Sequence, residues 1–417
     1  MSMGPIIIFD KSLLQGLNPD EAIWLDQFFI SNITPLFYVE TLADLAKEMK
    51  SGRTPDQIVG ELAYKSPNQG MIPNVHHWTL IIQELLGSKI TMDTRPILAG
   101  GKIKKDPTGK VGFVFDSFPE IEVFDRWQAG DFWQIEREFA SKWRCDLANL
   151  DFENRIEWVK NIVPQSEKLN SMAEIKSFVD SFVSQSGKEL MLFALQFLEI
   201  PSEIHGFILA RYSKAGTPTI KEFSSYTIYV LRLELFFHLC LFRGFISKER
   251  TSNKIDLAYL YYLPFSMAFI SGDKLHSRIA PFFMEQGQEY VTAIDFKTAL
   301  GELNEYYSKY ESEIEKEGIM RFAPYPPLEL NNAVTKLWDK FCPPWRKHSI
   351  DSKENKRTNL PKDKDLLRAI QEQESAPEIK SKIDGDSADF MILKRTSYIR
   401  RGKWRILPPE VENKGNK

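Results

Sequence analysis

The sequence predicts an α/β fold: a parallel sheet flanked by helices, with a large, mostly helical insertion and a flexible C-terminal tail. Three observations lead there. Residues 5–9 form a compact apolar run ending in Asp10, the pattern of a buried parallel strand that presents a polar residue at its carboxyl end. The first 50 residues read β-α-β-α. The same alternation returns after residue 223, beyond a stretch of different character.

After the first strand, Asn18, Pro19, Asp20 and Glu21 form a helix start signal. Ala22, Ile23, Leu25, Phe28 and Phe29 supply that helix's apolar face. A second apolar run, 35–39, is expected to be a strand leading straight into Glu40, with a helix over 40–50. Thr54-Pro55-Asp56 opens another helix, and 77–86 has helical spacing. Residues 97–115 contain Gly100-Gly101 and Asp106-Pro107-Thr108-Gly109 between β-prone runs, which predicts a hairpin. Helices are expected over 132–144 and 173–184, followed by the apolar stretch 190–200. Beyond residue 223 the expected elements are a long apolar helix (226–241), a short strand edge at Phe245-Ile246, a helix from Asp256, strands at 267–271 and 290–294, and helices at 275–285 and 296–317.

The chain therefore divides into two halves of one α/β domain, 1–50 and 225–320, around an insertion, 51–224. An extension (321–348) follows. Residues 349–388, rich in Lys, Asp, Glu, Ser and Asn, read as a disordered linker, and 389–417 as a basic terminal segment.

Composition excludes several classes. A net charge of −3 over 417 residues rules out a globally basic nucleic-acid binder, though not a local basic surface. Cys145, Cys240 and Cys342 lie far apart and are odd in number, against a disulfide framework or thiolate zinc site and in favour of a reducing compartment. Six histidines show no HExxH spacing, and the adjacent His76 and His77 point in different directions on any regular element. The start has no basic region ahead of its apolar run, so no secretory signal is expected. The apolar stretch 190–200 is too short to span a bilayer, and 228–245 contains Arg232, Glu234, His238 and Arg243, so both read as buried helices and no membrane partner is expected. Gly109-Lys110 lacks the P-loop pattern, and no GxSxG elbow occurs.

The informative residues are acids. Asp10, Glu40 and Asp273 each follow an apolar run read as a strand, and strand carboxyl ends share one edge of a parallel sheet. Asp256 opens the helix before the Asp273 strand. Carboxylates gathered at one point repel one another. A hard cation with oxygen ligands, Mg²⁺ or Mn²⁺, removes that penalty and activates water for attack on a phosphodiester.

Three pieces carry a family resemblance. IIIFDKS (6–12), LFYVETLADL (36–45) and DLAYLYYLPFSMAFISGD (256–273) resemble, in that order, the conserved segments of the PIN-domain nucleases. The segments DKLHSRIAPFF and EYVTAIDFKTAL are similar to the helix, last strand and final helix that follow. About two hundred residues separate the second and third pieces, where compact members have a few dozen; closing a longer loop adds little entropic cost. The resemblance implies a PIN-like domain in which Asp10, Glu40, Asp256 and Asp273 are catalytic and hold one or two Mg²⁺ or Mn²⁺ ions, with Ser12 and Ser271 at small polar supporting positions. It implies phosphodiester hydrolysis, of RNA ahead of DNA, by a bacterial, cytoplasmic enzyme restrained by a protein partner or by limited substrate access. Asp44, one turn beyond Glu40, reads as an outer ligand or a surface acid; Lys274, His276 and Arg278 read as phosphate contacts or solvated surface; Asp295 reads as a helix cap.

The basic segment holds Lys394, Arg395, Arg400, Arg401, Lys403 and Arg405 around Tyr398 and Trp404. Charge interleaved with rings suits single-stranded nucleic acid; equally, Met391, Ile392, Ile399 and Ile406 suit a hairpin docked on another surface. Two rivals to a nuclease remain: a catalytically silent PIN-like scaffold whose insertion binds a partner, and a nucleic-acid-binding protein that works through this tail.

Overall fold

The structure is a computed structural model and describes residues 4–48, 52–116, 118–136, 138–139, 142, 145, 152–162, 168–355, 361–380, 383, 385–394 and 398–409. Among these, five strands form a wholly parallel sheet: β1 (Ile6–Phe9), β2 (Ile30–Ile33), β3 (Met71–Pro73), β6 (Ala268–Ser271) and β7 (Glu289–Thr292), in the order β3-β2-β1-β6-β7. The hairpin β4 (Lys102–Lys105) and β5 (Val111–Phe115) is antiparallel, as expected, and β8 (Phe390–Leu393) joins β5 in parallel to make a second sheet.

Strand β1 is buried on both faces, and its period of two sends alternate residues into two cores. Ile8 and its β6 neighbour Phe269 face a helical core built around Ser225–Phe242. Ile7, Phe9, Ala268 and Ile270 face a second core that includes Trp24, Leu62, Phe124, Leu300, Trp338 and Trp404. Burying a side chain such as Ile8 stabilises by roughly 1.5–3 kcal/mol, so β1 anchors both layers. The helix Ser225–Phe242 is long and apolar enough to cross a membrane, but here protein buries it.

Several elements depart from expectation. Residues 35–39 are not a strand: Pro35 opens the helix Pro35–Glu48, for which its fixed φ is suited and its missing N–H costs nothing. The strand lies earlier, in ISNI, where the side chain of buried Asn32 donates to the carbonyl of Phe265 at 2.9 Å. Residues 51–224 are not set apart from the sheet. Strand β3 is its edge, and the helices Pro55–Lys65 and Pro119–Gln128 share a core with β1. The 349–388 stretch is not a bare linker either: it contains most of Trp345–Asn355 and the helix Pro361–Ser375, and Glu378 bridges to Lys104. Phe245-Ile246 form no strand. Of the helix expected over 132–144, residues 134–136, 138, 139 and 142 are helical, and 137, 140, 141, 143 and 144 lie outside the described residues.

Candidate functional site

The chain runs from β1 to β2 and β3 on one side of the sheet, then returns to β6 and β7 on the other. The direction therefore switches between β1 and β6, and the carboxyl end of this strand pair is where open α/β sheets place ligands. Asp10 ends β1, and Ser271-Gly272-Asp273 end β6. The approach is close: a Cβ on Gly272 would stand 3.2 Å from the hydroxyl of Ser12.

Asp10 is buried and caps the short helix Lys11–Gly16. Its Oδ1 accepts from the Leu13 amide at 3.2 Å and the Ser12 hydroxyl at 2.5 Å. Its Oδ2 accepts from the Ser271 hydroxyl and lies 3.5 Å from His276 Nδ1. Burial pushes this carboxyl up, but the hydrogen bond and charge of His276, with Ser12 and Ser271, outweigh it and hold Asp10 below the usual range. Burial pushes His276 down, and Asp10 and Asp256 more than reverse that. The ring has acceptors on both sides: Ser271 Oγ at 2.7 Å from Nδ1, and the Asp256 carbonyl at 2.6 Å from Nε2. Since Ser271 gives its own proton to Asp10, both ring nitrogens donate, and an imidazolium meets the pattern. At 1% exposure, His276 has no access to a phosphate; it is an internal counter-ion of Asp10, not a nucleic-acid contact.

Glu40 lies in the second turn of its helix rather than at a strand end. Tyr259 donates to its Oε2 at 2.6 Å. Burial, with Asp10 and Asp44 adding like charge against Lys11 and Tyr259, pushes Glu40 up to about 7. Asp256 lies in the first turn of the helix Asn253–Tyr259, close to the opening expected of it. Burial and the charges of Asp273 and Asp10, opposed by His276 and Arg250, push it up to about 6. Asp273 caps the helix Lys274–Ile279: its Oδ1 accepts from the Leu275 amide at 2.5 Å, and its own amide donates to Ser271 Oγ at 3.0 Å. Asp44 pairs with Lys11 at 2.5 Å.

So Asp10 acts electrostatically on both Glu40 and Asp256, Asp273 acts on Asp256, and Ser12 and Ser271 support Asp10. Two participants were not picked out from the sequence, Lys11 and Tyr259. Both carried a signal: Lys11 follows Asp10 directly, and Tyr259 shares a helix face with Asp256 three residues earlier. Among the described residues, no three His, Cys, Asp or Glu side chains stand close enough together to hold a metal ion between them. The donor chemistry is still that of a hard cation. Mg²⁺ binds through one or two carboxylates, retains several waters, and takes further oxygens from a substrate phosphate. That mode fits buried acids that raise one another's pKa without closing a protein cage.

The other predicted contacts divide. Lys274 and Arg278 are exposed beside the site, with Arg278 donating to the Phe245 carbonyl at 3.1 Å. The tail segment is docked. Trp404 is 1% exposed, lies 5.2 Å from Trp24 ring to ring, and donates to Asn304 at 2.9 Å, so it offers no face to a base. Arg401 is equally buried, 3.7 Å from Asp26. Arg400 pairs with Glu315 at 2.5 Å, and Lys403 donates to Ser308 at 2.9 Å. Asp295 lies in a helix's first turn, and Thr292 is the cap.

Compared with known proteins, the chain matches no family model, no curated protein and no solved structure.

Proposed function

We propose that the chain is a PIN-like, metal-dependent nuclease acting on phosphodiester bonds, RNA ahead of DNA, with Asp10, Glu40, Asp256 and Asp273 as its acidic site. The observation that carries this reading is the gathering of Asp10, Glu40, Asp256 and Asp273 around the ends of β1 and β6, where desolvation first and neighbouring carboxylates second raise Glu40 and Asp256. Acids held where ionising them is costly are what a cation site supplies with its missing charge. Asp10 and Asp273 would hold a Mg²⁺ or Mn²⁺ ion, with Asp256 and Glu40 beside them. When bound, the ion supplies charge neutralisation to a phosphodiester and acidifies water.

The protein's own part is positioning. Ser12 and Ser271 fix the Asp10 carboxylate, and His276 keeps it ionised. Tyr259 orients Glu40, which gives up its proton as positive charge arrives. Exposed Lys274 stands next to Asp273, where a phosphate would lie. The test is hydrolysis of single-stranded RNA with Mn²⁺ present, by the wild type, Asp10→Asn and Asp273→Asn. Cutting by the wild type alone supports the site. Equal cutting by all three sinks it.

One set of observations favours the silent scaffold: Asp10 with His276, Asp44 with Lys11, and Glu40 with Tyr259 already have internal partners. In that case no protein cuts, and Mn²⁺ leaves the wild type's stability unchanged.

A further inference from the structure

A cavity whose lining includes none of the four acids lies between the helix Pro35–Glu48 and the helical layer around Ser225–Phe242. Its volume is about 610 Å³, within the range of small-molecule sites. Leu36, Val39, Phe152, Phe197, Val230 and Ile255 give it apolar walls.

Its ionic groups are closed on one another. Lys254 pairs with Glu234, which also accepts from the Tyr261 hydroxyl. Arg155 pairs with Glu199, donates to the Phe197 carbonyl at 2.6 Å, and lies over the Phe197 ring. An entering ion therefore meets no unmatched opposite charge.

Two histidines remain with hydrogen-bonding capacity to spend. Burial pushes His77 well below its ordinary range and His238 down to about 4, so both are neutral. His238 Nδ1 donates to the Glu234 carbonyl at 2.8 Å, which leaves Nε2 as a bare acceptor. The His77 amide donates to the Tyr262 hydroxyl at 2.9 Å, and that hydroxyl, 3.3 Å from His77 Nδ1, returns its proton there. His77 Nε2 is then a donor. Neither Nε2 has a hydrogen-bond partner among the described residues. Flat surfaces surround them: His77 lies 4.3 Å from the ring of His76 and 4.7 Å from that of Tyr261, and Trp78 is 40% exposed beside them.

We propose that this cavity binds a neutral, planar nitrogen heterocycle of nucleoside size, with His77 as donor and His238 as acceptor to its edge and the neighbouring rings as stacking surface. A purely aliphatic occupant would leave both nitrogens unmatched, which disfavours it. An anionic one would have to compete with Glu234 for Lys254.

The test uses the full chain, equilibrium dialysis and four probes: adenosine, guanosine, cytidine and uridine. At least one is retained at one site per chain with a Kd below ~1 mM, and quenches fluorescence in the wild type more than in Trp78→Phe. His77→Phe and His238→Phe, which keep ring shape, each weaken it at least ~10-fold. The matching 5′-monophosphate binds no tighter than the nucleoside. Should both ring variants misfold, the Trp78 comparison still decides. Retention of none of the four overturns the proposal, as do unchanged binding in folded ring variants or a clear preference for the monophosphate. Asp10→Asn is expected to bind the nucleoside as the wild type does, so this result stands apart from the nuclease reading.

Discussion

Replacing Glu40 with glutamine tests whether the acid cluster carries uncompensated charge. Glu40 sits at about 7 against an ordinary 4.5. The native state therefore keeps this proton over a window in which the unfolded chain has released it. By linkage, the stabilising contribution is full below about pH 4.5, falls as pH rises, and is gone above about pH 7. The shift converts to at most about 3 kcal/mol, and the partial exposure of the residue brings the expected value to about 1–2 kcal/mol. Glutamine cannot ionise, and its amide oxygen still accepts from Tyr259. Glu40→Gln is thus expected to match the wild type near pH 4.5 and to be more stable by ~1–2 kcal/mol near pH 8. Urea unfolding of both proteins across that range, with a chelator present, measures the difference directly. Adding Mg²⁺ near pH 8 should then stabilise the wild type more than the variant, since only the wild type gains a carboxylate. Equal stabilities at every pH, or a wild type that becomes relatively more stable as pH rises, would refute the electrostatic argument.

Other perturbations have separate outcomes. Ser271→Ala removes the hydroxyl that bonds Asp10, Asp273 and His276 together, and should lower RNA cleavage by roughly 10–100-fold, with Asp10→Asn lower still, in a gel assay with Mn²⁺. Mn²⁺ affinity, followed by calorimetry, should rise as pH passes through about 6 to 7, where Asp256 and Glu40 ionise. Trp404→Ala should cost about 3–5 kcal/mol in urea unfolding; a tail that only binds nucleic acid would cost almost nothing. None of the Arg401 guanidinium nitrogens has a hydrogen bond, and Asp26 lies 3.7 Å away. Arg401→Met leaves the buried Asp26 carboxylate without its cation and should destabilise by about 3–5 kcal/mol, and the double variant with Asp26→Asn should recover most of that loss.

What the sequence revealed depended on how local the physics was. The apolar run before Asp10, the capping box of Asn18 and Glu21, and the Asp106–Gly109 turn of the hairpin are set by adjacent residues, and each was legible. Strand β2 was not, because Ser31 and Asn32 interrupt its apolar pattern while the more apolar run after Pro35 belongs to a helix. Glu40 was found, but at the wrong kind of element. The role of His276 was hidden altogether, since it depends on Asp10 and the Asp256 carbonyl reaching it from distant parts of the chain. The tail read equally as a nucleic-acid arm and as a docked hairpin, because composition does not say that Trp404 finds Trp24.

The pairing of β1 with β6 joins segments 261 residues apart, measured from Asp10 to Ser271. Synthesis proceeds at about 5–20 residues per second. A nascent chain therefore exposes Asp10 for roughly 10–50 s before the strand bearing Ser271 and Asp273 is made. Through that interval β1 has only β2 to pair with, and the β6 side of the site is missing. Trp404 emerges later still, and the second core is incomplete without it. On the proposed reading, a site that cuts RNA would therefore stay incomplete on a nascent chain until the segments bearing Ser271, Asp273 and Trp404 have been made.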